Sequence, residues 1–283
     1  MQLKYVCPYW GQESLAPKEF LHKVLVEGYD GVEINLPMSD GFLDSFTNEL
    51  ETVRRQKPDF IFIAQQVLPP AQESVADYIR RTTQRLEFLI QLRPAFINAH
   101  TGKDYFSFDD NCRVLEATMN IAARSGVRIL HETHRGRFTF HAATLLPYLE
   151  RFPELELTAD FSHWCTVSES MLEDQQAIIE QVIPHVEHIH ARIGYEQGPQ
   201  VADPSAPEWE GHRARFLCWW FKILSHQKKK GTPQFTICPE AGPAPYMPTV
   251  PFTGQPLADQ WKVNAQMKDL LKQTFYQFKN ECA

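Results

Sequence analysis

Four side chains of metal-ligand type follow four apolar runs in succession. Glu132, inside His131-Glu132-Thr133-His134, comes just after residues 127–130. Asp160 closes 155–159, His190 closes 186–189, and Glu240 follows 235–238 by one proline. Short apolar runs of this kind read as strands buried on both faces. Three carboxylates and an imidazole are a hard-to-borderline donor set, suited to one divalent ion such as Mn, Mg, Co or Zn. Their common place at strand ends predicts a single metal ion at one rim of a parallel barrel. His188 shares strand parity with His190 and competes for the ligand position, but His190 lies nearer the strand's end. His188 otherwise reads as a hydrogen-bonded interior residue and stays a substrate-contact candidate. The HETH stretch lacks the helical HExxH spacing of a zinc protease. His131 and Glu132 also point to opposite strand faces, so His131, His134 and His141 are not read as a zinc cluster.

Holding four such side chains at one rim requires eight repeats of strand and helix. The sequence supplies them. Strands are expected at 3–9, 31–36, 60–64, 96–100, 128–130, 155–160, 186–190 and 234–238. Helical periodicity falls between them, at 17–25, 44–55, 75–90, 115–123, 145–149, 171–183, 209–227 and 259–278. Ser74 with Asp77 resembles a capping box. Lys228, Lys229 and Lys230 precede Gly231, as cations and a glycine do at a helix C-terminus. Long loops are expected at 194–207 and 239–256, the first resembling a lid. Repeated βα units imply parallel strands. The expected architecture is α/β, a single (β/α)8 TIM barrel forming one domain over residues 1–283.

Composition narrows the function. Hydrophobic residues make up 43% of the 283 residues, enough for a core. Asp+Glu number 35 against Lys+Arg 28, a net charge of −7, so no nucleic-acid partner is expected. The six cysteines include no CxxC and read as reduced thiols of a cytoplasmic protein. Residues 1–5 lack the pattern of a signal peptide. No apolar run is long enough to span a membrane.

Glu132, Asp160 with His163 three residues on, the His188-x-His190 pair and Glu240 together resemble the xylose isomerase-like TIM-barrel superfamily. The pattern is most similar to its sugar phosphate isomerase/epimerase group, including ketose 3-epimerases. The strands holding Gly31-Val32-Glu33 and Asn98-Ala99-His100 resemble that group too. The resemblance implies that Glu132, Asp160, His190 and Glu240 hold one divalent metal. It also implies that Glu132 and Glu240 move protons on opposite faces of a substrate, and that His163 holds a substrate oxygen. That chemistry is coherent: a proton leaves a carbon next to a carbonyl, and an enediolate is stabilised by a Lewis acid.

Further contacts are expected around this set. Arg192, two residues after His190, suits a hydroxyl or an acidic group. Glu33 orients a ligand, binds substrate, or forms an interior salt bridge. His100 is a supporting residue or a second metal ligand. Trp10, with Tyr9, Phe106, Trp164 and Trp209, offers aromatic faces for a sugar ring. The expected substrate is a small sugar or polyol, and a homo-oligomer is left open. Three alternatives stand beside the isomerase: a keto-inositol dehydratase-type lyase, an endonuclease IV-like phosphodiesterase, and a non-catalytic sugar-binding barrel. The phosphodiesterase needs an Asp-x-His after strand seven, where this chain has Asp203-Pro204-Ser205.

Overall fold

The apolar runs form eight strands, each paired with the next until the last closes on the first. The computed structural model describes residues 1–281, and the side chains of all of these except residues 40 and 276–281. Cys282, expected to be a reduced thiol, lies outside the described residues. The strands are β1 (Gln2–Pro8), β2 (Gly31–Ile34), β3 (Ile61–Gln66), β4 (Ile97–Ala99), β5 (Ile129–Glu132), β6 (Leu157–Ala159), β7 (Val186–Ala191) and β8 (Gln234–Pro239). All pairings are parallel. The molecule is thus the expected single (β/α)8 TIM barrel. No described helix is long and apolar enough to cross a membrane.

The helices are α1 (Pro17–Val26), α2 (Asp40–Gln56), α3 (Val75–Gln91), α4 (Phe108–Ser125), α5 (Ala142–Arg151), α6 (Ser162–Ser168), α7 (Gln176–Val182), α8 (Glu210–Lys230) and α9 (Gln260–Glu281). Local chemistry sets several of their ends. The Ser74 hydroxyl accepts from the Asp77 amide and starts α3. Ser107 does the same for Asp110 and starts α4 seven residues before the expected 115. The three lysines lie in the last turn of α8, and Gly231, at φ 81°, ends it.

One stretch departs from expectation. Residues 171–183 were expected as one helix, but Leu172 has φ 56° and Glu169 φ 46°. Left-handed backbone cannot continue a right-handed helix. The chain instead makes α6 before that segment, directly after Asp160, then a turn, and only the shorter α7 inside it. That early helix carries Ser162 and His163 back toward the rim.

The core has two parts. A large cluster fills the layer between sheet and helices, with Phe20, Phe62, Leu86, Leu115, Trp164 and Trp219 among its members. A small cluster of Val6, Ile61, Ile63, Phe96, Leu130 and Cys238 lies inside the barrel. Ile63, Phe96, Leu130 and Cys238 share strand parity with Gln65, Asn98, Glu132 and Glu240. The apolar layer therefore carries a polar layer above it, toward the strand C-termini.

Candidate metal centre

The four candidate ligands come from the ends of four strands. β5 ends on Glu132, Asp160 and Glu240 follow β6 and β8, and His190 is the penultimate residue of β7. One donor atom from each of these four side chains lies within 4.8 Å of the others, and all four residues are buried. His190 Nδ1 is 2.8 Å from Glu240 Oε2 and 3.6 Å from Glu132 Oε1. That nitrogen nevertheless has no hydrogen-bond partner. The oxygens are close, but lie off the direction a ring N–H would take. Donor atoms aimed at a common point, rather than at each other, are what a shared cation requires. Three buried carboxylates also exceed the single buried guanidinium beside them, Arg192. Buried charge is normally paired or bound to metal. The four residues therefore fit a divalent ion and form a candidate metal-binding cluster.

A second ring of groups fixes these side chains. Glu33, on β2, is wholly buried and accepts from four donors. His190 Nε2 is 2.9 Å away, His188 Nε2 3.0 Å, Asn98 Nδ2 3.0 Å and Gln65 Nε2 3.1 Å. The bond to His190 Nε2 assigns the proton to that nitrogen and leaves Nδ1 facing the cluster. Asn98 Nδ2 also donates to Glu132 Oε2 at 2.8 Å, and Gln65 Nε2 to Glu240 Oε1 at 3.2 Å. His100 Nε2 is 3.0 Å from Glu132 Oε2. Ser162 donates to Asp160 Oδ1 from its amide and its hydroxyl. Arg192 Nη2 donates to Asp160 Oδ2 and, at 2.8 Å, to His163 Nε2.

Electrostatics follow this packing. Burial opposes charge on Glu132, but His100 and His190 outweigh it and hold the carboxyl well below its ordinary range. Burial likewise opposes charge on His190, yet Glu240, Glu33 and Glu132 together raise its pKa well above the ordinary value. Burial pushes Asp160 up to about 6 even though Arg192 pulls it down.

Above the cluster lies a cavity of about 540 Å³. Glu132, Glu240, Gln65, His100, Arg192 and Trp10 line it. Of the expected substrate contacts, His100, Arg192 and Trp10 thus reach the cavity. Trp10 packs edge-on to Tyr246 at 4.8 Å, and the Arg192 guanidinium lies 4.9 Å from the Tyr246 ring. Gly242 permits this, because a Cβ there would meet the Trp10 ring at 2.2 Å.

Three expected contacts do not reach the cavity. Glu33 and His188 lie wholly buried and do not line the cavity. His188 Nδ1 faces Thr236 across β8, which makes it an interior strut. His163 is covered by His134, whose ring centroid is 3.8 Å away, and meets the cavity only through Arg192. Trp164 and Trp209 do not line the cavity either; Trp164 is core and donates to the Thr139 carbonyl.

The fold brings His134, not singled out as a site residue, to the cavity. The His134 ring lies 4.3 Å from that of His100. His100, Glu132 and His134 also bring three donor atoms within 4.8 Å of one another. Gln65, Asn98, Arg137 and Tyr246 complete the site without having been singled out. Strand parity could have given Gln65 and Asn98, since both precede strand ends on the inward face. Arg137 and Tyr246 stand on loops, where no period marks them.

Comparison with solved structures gives the class first: the chain has the fold of the xylose isomerase-like TIM barrels. The probable 3-DHS dehydratase AsbF from Bacillus anthracis is 16% identical over 96% of this chain and 99% of its own, with a TM-score of 0.63. A xylose isomerase-like TIM barrel protein from Mycobacterium smegmatis, in complex with magnesium, is 11% identical over 95% of each chain, with a TM-score of 0.62. The IOLI protein with a bound zinc atom is 14% identical over 86% of this chain and 91% of its own, with a TM-score of 0.57. No family model matches the sequence, and the search of curated proteins gives no match.

Proposed function

We propose that this protein is a divalent-metal-dependent isomerase or epimerase of a small carbohydrate. One observation carries the reading. Glu132 and Glu240 come from β5 and β8, flank His190, and line the same cavity. A site that only binds has no use for two buried proton carriers around a cation cluster. Similar folds that hold magnesium or zinc support a cation of that kind here.

Glu132, Asp160, His190 and Glu240 would hold the ion. When bound, it would supply Lewis-acid stabilisation of negative charge on the substrate's carbonyl oxygen. Glu132 is kept ionised by His100 and His190, which suits it to take a proton. It removes the proton from the carbon next to the carbonyl, and the electron pair moves to give an enediolate. On the opposite face Glu240 relays a proton from solvent to the carbon, and the carbon inverts. Delivery to the neighbouring carbon, with a proton passing from one enediolate oxygen to the other, instead gives isomerisation. The proton then rests on Glu132, and exchange with water or the reverse reaction resets the pair. Asn98 and Gln65 hold the two carboxylates apart. Trp10, Tyr9 and Tyr246 exclude water and offer ring faces to a sugar.

The test is metal analysis followed by incubation with a panel of sugars and keto-polyols in D₂O. Expected are about one bound ion per chain, lost in D160N and H190A, and deuterium at a carbon next to a carbonyl. No exchange with any member of the panel, in metal-loaded protein, would refute the reading. Product analysis separates epimerisation from loss of water by a lyase that begins with the same proton transfer.

A further inference from the structure

The lining of the cavity includes the carboxylates of Glu132 and Glu240 and, in the loop between β5 and α5, the guanidinium of Arg137. Arg137 is half-buried, and among the described residues no carboxylate pairs with it. Nη1 donates to the Gly136 carbonyl at 3.0 Å, and Nη2 lies 3.4 Å from His100 Nδ1. Its Nε is buried with no partner at all. The guanidinium thus has unused donors and no counter-charge. Lys103 adds to the same field, and its amine is pushed down by burial and then by Arg137 itself.

The arginine is held in place. The Phe138 amide donates to the Thr101 carbonyl, Thr139 donates to the Glu132 carbonyl, and Trp164 donates to the Thr139 carbonyl. A loop tied down at three points fixes the backbone from which the guanidinium projects. A half-buried cation whose buried Nε has no partner and which has no counter-charge is costly, unless a ligand brings the opposite charge. A guanidinium's flat fork matches a carboxylate. Only one imidazole, that of His100, separates Arg137 from Glu132. The anionic group of the ligand must therefore lie within a few bonds of the reacting carbon.

We propose that Arg137 binds a substrate carboxylate, and that the substrate is a small polyhydroxy keto acid or sugar acid rather than a neutral sugar. This deepens the isomerase reading of the same site and rests on it. A lone unpaired arginine suits a single negative charge better than a doubly charged phosphate. Arg192, the other arginine of the cavity, is already committed to Asp160.

The experiment is calorimetric binding of matched pairs, each a sugar acid or keto acid with its neutral alcohol or ketose, plus the corresponding sugar phosphate. Each is measured with and without added Mn²⁺. The acid is expected to bind about 10- to 100-fold more tightly than its neutral partner, the range for a hydrogen bond to a charged group. In R137Q that ratio is expected to fall toward one. R137K keeps the charge and loses the fork, so it should keep part of the preference; it carries the test if R137Q melts at a lower temperature. Equal binding of acid and alcohol, or no acid binding at millimolar concentration, overturns the proposal. So does a preference that survives R137Q, or a phosphate held more tightly than the carboxylate. Metal uptake is scored separately. A protein that takes up no metal fails the reading of the centre, whereas one that binds metal but ignores the carboxylate fails this inference alone.

Discussion

Glu33 touches neither the cavity nor, on the proposed reading, the ion, yet changing it should weaken the metal centre. Its carboxylate accepts from His190, His188, Asn98 and Gln65, all at 2.9–3.1 Å. The bond from His190 Nε2 keeps the proton on that nitrogen and leaves Nδ1 to the cluster. Glu33→Gln preserves shape and removes the charge. A carboxylamide has one acceptor oxygen where the carboxylate has two. At least one of the four donors must then face an NH₂ group. Loss of such an orienting partner lowers metal affinity about 10- to 100-fold, or about 1.4–2.8 kcal/mol. Competition against a chromogenic chelator at fixed pH reads this directly for Zn²⁺ or Mn²⁺. Circular dichroism of the same samples checks that the barrel is intact. Glu33→Asp keeps the charge but pulls it back by one methylene, and should fall between the two. A folded E33Q protein with affinity within twofold of wild type would refute the assignment of His190's orientation to Glu33.

Three further outcomes are expected. His190 is held protonated by Glu240, Glu33 and Glu132, so metal uptake at pH 7 should expel about one proton; titration calorimetry in buffers of different ionisation heat counts it, and zero release contradicts the coordination. Burial pushes His131 down to about 4, below its value in the unfolded chain, so the unfolded state takes the proton first and stability falls as pH drops from about 6.5 to about 4. By pH 4 this one group costs about 3 kcal/mol, and urea unfolding of H131N should show a correspondingly shallower pH slope, an unchanged slope counting against it. Gly31 pairs with Ile61 between β2 and β3, and a Cβ there would meet the Ile61 carbonyl oxygen at 2.2 Å. G31A should therefore destabilise by about 1–3 kcal/mol, and an unshifted urea midpoint would show that the strands part without cost.

Local sequence was enough for the barrel and for its four candidate ligands. Period and composition mark the strands and most of the helices without reference to distant residues, though not α6 or the break before α7. In a closed parallel barrel every strand's C-terminal end reaches the same rim. Glu132, Asp160, His190 and Glu240 could therefore be grouped from strand ends alone. What the chain order could not decide is how side chains share the barrel's interior. Glu33 and His188 read equally well as substrate contacts. Only their depth, set by the stagger of β2 and β7 against their neighbours, keeps them off the cavity wall. His163, expected as a substrate contact, is capped by His134, a contact between α6 and the loop after β5. Arg137, His134 and Tyr246 stand on segments with no repeating pattern. Their approach to the cavity is fixed by tethers such as Thr139 to Glu132 and Phe138 to Thr101. Periodicity is a property of neighbours in sequence, and so it names the scaffold. The place of Arg137 in the cavity wall arises from packing between residues far apart in the chain.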